Sequence, residues 1–140
     1  MKALVFSLFC MALISGIEAQ SWLWNKQFYG NGDEIIKDMS FDSNDNIIIA
    51  GTFNTTLKGI GSDSLVSNGG SDIFLIKMDY NGQVLDYKQF GGSSNDFIED
   101  VEFGHDGNIY ICGQFSSPTL QLDTSTLYNY SYRTLYFAKL

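Results

Sequence analysis

Asn46-Ile47-Ile48-Ile49-Ala50-Gly51-Thr52-Phe53 returns 62 residues later, without a gap, as Asn108-Ile109-Tyr110-Ile111-Cys112-Gly113-Gln114-Phe115. Alternate residues of a strand share one face. On one face, Ile47, Ile49, Gly51 and Phe53 reappear unchanged as Ile109, Ile111, Gly113 and Phe115. The other face carries Ile48, Ala50 and Thr52, or Tyr110, Cys112 and Gln114. Both faces are largely apolar or small, the pattern of a strand covered on both sides by other sheets. A glycine at the same place in both copies predicts close approach of a neighbouring backbone.

Working outward, Lys26-Gln27-Phe28 returns as Lys88-Gln89-Phe90, and Ile73-Phe74-Leu75-Ile76-Lys77 as Leu135-Tyr136-Phe137-Ala138-Lys139. Each repeat yields four predicted strands: residues 22–28, 35–41, 47–53 and 73–78, returning as 84–90, 97–103, 109–115 and 135–140. Between them lie pairs that tolerate positive φ, such as Asn81-Gly82, Gly91-Gly92 and Asp106-Gly107. The loops at 42–45 and 104–107 are short enough to force antiparallel pairing. A repeat of this length with four antiparallel strands predicts an all-β fold of β-propeller blades.

The residues also resemble the secreted β-propeller repeat family (SBBP-type repeats). The resemblance rests on Lys88-Gln89-Phe90-Gly91-Gly92, Asp96, residues 106–115 and Ser71-Asp72-Ile73-Phe74-Leu75-Ile76-Lys77-Met78-Asp79. It covers nearly all of residues 20–140 and implies architecture rather than an activity. The first copy departs from the pattern at Tyr29, and the second at Arg133-Thr134.

The repeat is offset from the blade. Residues 84–90 are expected to close a first blade begun by residues 35–78. The second blade, 97–140, then has three strands and lacks an outer one, the type that residues 22–28 supply. This is the pattern by which propellers lock first blade to last. About two blades make an incomplete propeller, because closed rings run from about four to eight. The chain is read first as a fragment or truncated product. The other readings are assembly of about three or four copies, and a free pair with exposed edges.

Lys2 followed by the apolar run 3–14 and Ile17-Glu18-Ala19 reads as a signal peptide over residues 1–19, with residues 20–140 forming two repeats at approximately 22–83 and 84–140. The run is too short to span a bilayer, so a secreted chain free of the membrane after cleavage is expected. The formal net charge is −8 with no basic cluster, which argues against nucleic acid and anionic lipid. Beyond the signal only Cys112 remains, so no intrachain disulfide is expected there; a buried small residue is the expected role, a free thiol or interchain bridge the alternative.

Asp42, Asn44 and Asn46 have the spacing that opens a calcium loop, but Ile47 and Phe53 stand where that loop needs glycine and glutamate. The copy, Gly104, Asp106 and Asn108, keeps fewer ligands, and a hairpin turn is expected. Asp38 and Asp100 recur on a strand and are expected to accept backbone hydrogen bonds from an adjacent loop. Asp33, Glu34 and Asp96 are read as a solvated loop, with an acidic rim as the alternative. His105, the sole histidine, lies in a turn without a nucleophile motif, so no triad is buildable. Tyr128, Tyr130, Tyr132 and Tyr136 are expected to cover the core of an incomplete blade, with stacking on a sugar or peptide as the alternative. Asn54 and Asn129 are glycosylation acceptors if the source is eukaryotic.

Together these features predict a secreted, non-enzymatic binding or scaffold module with no catalytic, metal or cofactor residues. Its partner is an unidentified protein or glycan, or further blades or copies of itself. The alternatives are part of an extracellular carbohydrate-active enzyme whose catalytic residues lie elsewhere, and a small lectin-like oligomer.

Overall fold

The β-branched and aromatic runs between the turns form nine strands in a computed structural model that describes residues 21 and 23–140. The signal peptide predicted at residues 1–19 lies outside the described residues. The first sheet is the expected four-stranded antiparallel blade. It comprises β1 (Glu34–Phe41), β2 (Ile47–Ile60), β3 (Asp63–Met78) and β4 (Val84–Phe90), in that spatial order. The second sheet has three strands, in the order β5 (Asp96–Phe103), β6 (Ile109–Phe115) and β9 (Thr134–Lys139). The all-β incomplete-propeller reading is the observed one, including the missing strand of the second blade.

Two features depart from expectation. First, β2 and β3 run beyond their predicted ends into a bulged hairpin, and its copy is a separate ribbon, β7 (Thr119–Leu122) with β8 (Ser125–Tyr128). Second, residues 23–28 form no strand among the described residues; Trp22 of the predicted strand lies outside them. The segment ends in a single bridge, Tyr29 to Lys58, bonded in both directions at 3.1 and 2.7 Å. A strand needs a partner, and the edge this segment would complete is that of β9, on the other blade.

The blades stack face to face. Ile48, Ala50, Ile73 and Leu75 of the first pack against Ile98, Val101, Ile111 and Phe115 of the second, with Leu120 and Leu122 of the ribbon closing the same core. The opposite face of the first blade carries a second cluster, Ile49, Phe53, Leu57, Ile60, Phe74 and Ile76, against which Phe28 packs. Gly51 and Gly113 have the predicted cause: an added Cβ would collide with the carbonyl oxygen of Ile35 or of Phe97 on the neighbouring strand.

The repeat also persists in the turns. Asp45 and its copy Gly107 both have positive φ, 59° and 78°, as do Gly61 and its copy Asp123, 66° and 47°.

Candidate functional site

The repeated carboxylates are held by the fold itself. Asp38 Oδ2 accepts the Val101 N–H at 3.0 Å, and Ser40 Oγ accepts the Phe103 N–H at 3.1 Å. The donor to Asp38 is thus a strand of the next blade, not the adjacent loop that was expected. Asp38 and Asp100 lie within reach of each other. The Val101 N–H holds Asp38 below the usual carboxylate range, while interaction with the Asp38 carboxylate pushes Asp100 up.

At Asp96 the structure overturns both the solvated-loop reading and its acidic-rim alternative. It is fully buried and accepts from Gly92 N at 2.8 Å, Ser116 N and Ser117 N at 3.1 Å, and Ser117 Oγ at 2.6 Å. These bonds tie the inter-blade linker to the loop after β6, and so need the carboxylate inside. Glu34, its copy, is half-buried, while Asp33 is exposed. Asp72 is also buried; it accepts from Asn68 N and Gln89 Nε2 at 2.8 Å each, and burial raises its pKa.

The Asp42-Asn44-Asn46 segment is a turn. Asp42 accepts from Asn44 N, Asn46 N and Asn46 Nδ2 at 2.8–2.9 Å, and Lys77 Nζ stands 3.0 Å away. Burial raises its pKa, but the Asn46 and Lys77 bonds outweigh this and hold it low. In the second repeat Lys139, the copy of Lys77, meets Asp106 instead, at 2.8 Å. The Lys139 bond, followed by those from Asn108 and Tyr110, keeps Asp106 low. The carboxylate has moved two residues along the turn, from the Asp42 position (Gly104 in the copy) to that of Asn44, yet each lysine keeps a carboxylate.

These two turns flank a cleft of about 410 Å³ lined by Phe41, Asp42, Ser43, Glu102, Phe103 and His105. His105 is exposed there. Among the described residues no hydrogen bond joins it to Ser43. The cleft offers acceptors and two phenylalanines, a surface suited to a polar group with an apolar part.

The tyrosines divide. Tyr136 is buried, donates to the Phe97 carbonyl at 3.2 Å and packs edge-on against Phe115. Tyr128, Tyr130 and Tyr132 do not cover the core. Tyr130 and Tyr132 are 90 % and 87 % exposed, because their loop projects beyond the last sheet. Tyr128 and Tyr130 border a groove of about 380 Å³ with Leu127, Thr134 and Phe137.

Cys112 is only half-buried, whereas its copy Ala50 is fully buried, because among the described residues no blade covers that face of the second blade. Burial, then Asp100 and Glu99, raise the thiol pKa, which disfavours the reactive thiolate. Asn54 Oδ1 accepts from Asp33 N at 3.0 Å, and Asn129 Oδ1 from Thr134 Oγ1 at 2.6 Å; both residues are half-buried.

No known family's sequence profile matches the chain. It is similar to an uncharacterized WD repeat-containing protein of Acanthamoeba polyphaga mimivirus, at 24 % identity over 61 % of this chain. The chain spans 7 % of that protein's length. The likeness points to propeller-type repeats, as the two stacked blades do.

Proposed function

We propose that the chain is a secreted repeat module of the SBBP type that binds or scaffolds a glycan or protein partner and catalyses nothing itself. One contrast carries this reading. Asp38, Asp42, Asp96 and Asp106 are engaged with backbone N–H groups or lysines, while large aromatic side chains stand in solvent on the 128–132 loop. Tyrosines placed this way offer contact area at small entropic cost and a hydroxyl for polar bonds, which suits stacking on a sugar ring or a peptide. The likeness to a WD repeat-containing protein supports a binding role built from repeats.

A glycan array and a peptide library, probed with the wild type and with Tyr130→Ala/Tyr132→Ala, test the reading. Binding that falls at least about tenfold in the variant supports it, a loss that matches removal of stacking side chains. A hydrolase or lyase activity abolished by changing one acidic residue overturns it.

A further inference from the structure

The junction between the two blades is a template for a second junction between two faces that are exposed among the described residues. On the first blade, Ile48, Ala50, Thr52, Ile73 and Leu75 share one face and are all buried by the second blade. The same positions one repeat later are Tyr110, Cys112, Gln114, Leu135 and Phe137. There Leu135 is 79 % exposed and Phe137 72 %. At the other end, Ile98 and Val101 of β5 are buried in the junction, whereas their copies on β1, Ile36 and Met39, are 56 % and 57 % exposed. The described residues therefore present two unlike exposed faces, a tail face on the second blade and a head face on the first.

The polar fasteners of the junction are present on both ends as well. Asp38 accepts from β5 in the junction, and its copy Asp100 lies on the tail blade. Lys77 sits 5.4 Å over the Phe103 ring; the tail carries the copy Lys139, and the head carries the copy Phe41. Lys37 pairs with Glu99 at 3.2 Å, so a tail Glu99 meets a head Lys37 with the same sign relation. Finally, β9 is an edge strand, and residues 23–28 are a repeat of β4 with no strand partner among the described residues. Phe28 packs on the cluster of Phe53 and Ile60, as Phe90 packs on that of their copies Phe115 and Leu122. The segment already lies against the head blade where β4 lies against the second blade.

We propose that a second copy of this chain docks head to tail on the second blade, with its β1 against Leu135 and Phe137 and its residues 23–28 completing the sheet along β9. The pairing of Ile73 with Phe90 and Leu75 with Lys88 sets the register: Leu135 beside Phe28 and Phe137 beside Lys26 of the neighbour. A second copy is the occupant because the charges alternate. Each Lys37 then lies between the Glu99 of its own chain and the Glu99 of the chain before it, and every Lys139 finds a Phe41. Head-to-tail contacts close into rings when the rotation allows. Rings of about four to eight blades correspond to about two to four copies. This goes beyond the binding role and does not depend on what is bound.

The mass in solution of the secreted chain, freed of the leader read at residues 1–19, by light scattering and native mass spectrometry, tests it. A discrete species of about two to four copies is expected. Phe137→Asp and Met39→Asp, both at exposed positions of the single chain, are each expected to lower that mass to one copy without changing the circular dichroism. In a background of Cys112→Ala, Lys26→Cys mixed with Phe137→Cys is expected to give a disulfide-linked pair that neither gives alone. A monomer at every soluble concentration with no mixed pair overturns the proposal. So does self-pairing of Lys26→Cys, which marks a two-fold contact. A longer polypeptide whose further repeats close the ring as a monomer overturns it too. None of these outcomes reads ligand binding, so failure of the binding role is seen separately.

Discussion

Lys37 and Glu99 stand one repeat apart and meet at 3.2 Å. The same strand position thus carries opposite charges in the two blades, and the pair crosses their junction. Both side chains are partly exposed, so the pair contributes about 0.2–1 kcal/mol. A double-mutant cycle with Lys37→Ala and Glu99→Ala in urea is expected to return a coupling in that range. Raising the salt to about 1 M should shrink it.

Asp96 is a larger contributor. Asp96→Ala leaves N–H groups of Gly92 and Ser117 without their acceptor inside the fold. Each such loss costs about 1–3 kcal/mol, so a destabilisation of about 3–5 kcal/mol is expected. Asp96→Asn should fall between, since an amide accepts through one oxygen only. The urea midpoint at unchanged slope is the measurement.

Gly113 and Gly107 are glycines for different reasons. Gly113→Ala drives a Cβ into the Phe97 carbonyl, the acceptor of the Tyr136 hydroxyl. A loss of about 1–3 kcal/mol is expected, as for overpacking. Gly107→Ala meets no neighbour but keeps a φ of 78°. Its cost is the left-handed torsion, about 1–2 kcal/mol. If Tyr136→Phe is combined with each, only the Gly113 variant should show non-additive melting temperatures.

Stability should fall in acid. Asp42 and Asp106 are held below their unfolded values, about 3.9. Their contribution is therefore complete above that value and is lost as pH falls through the folded value. Asp72 has the opposite sign: burial raises it, so protonation on acidification relieves a cost. Thermal melts below about pH 5 are expected to show a shallower decline for Asp42→Asn/Asp106→Asn. Asp72→Asn should be more stable than wild type at neutral pH and decline more steeply.

The blades were legible because β1, β2, β4, β5, β6 and β9 follow local alternation between turn residues. The outer hairpin was not, because the positive φ of Thr55 and Gly59 and the bulges around Asn54–Thr56 and Leu57–Ile60 break the period of two. Its remaining signal was Leu120 and Leu122, alternating before the turn at Asp123. Residues 23–28 read as a strand since their composition matches β4, but pairing is a property of two segments. Asp96 read as solvated because its acceptor role depends on backbone N–H groups of its own linker and of the loop after β6, 20 and 21 residues away, which carry no mark in the sequence. The exposure of Tyr130 and Tyr132 was missed for a related reason: nothing local tells whether a sheet lies beneath a loop.

The turns at Asp45 and Gly107, and at Gly61 and Asp123, exchange glycine for aspartate while keeping the backbone torsion. What the duplication has transmitted at those points is a dihedral angle, with the side chain free to drift among residues that tolerate it. Alignments scored by residue identity see mismatches there, though the chain has changed nothing about its path. Relatives of this repeat are better sought by the positions at which the backbone turns left-handed than by the letters that turn it.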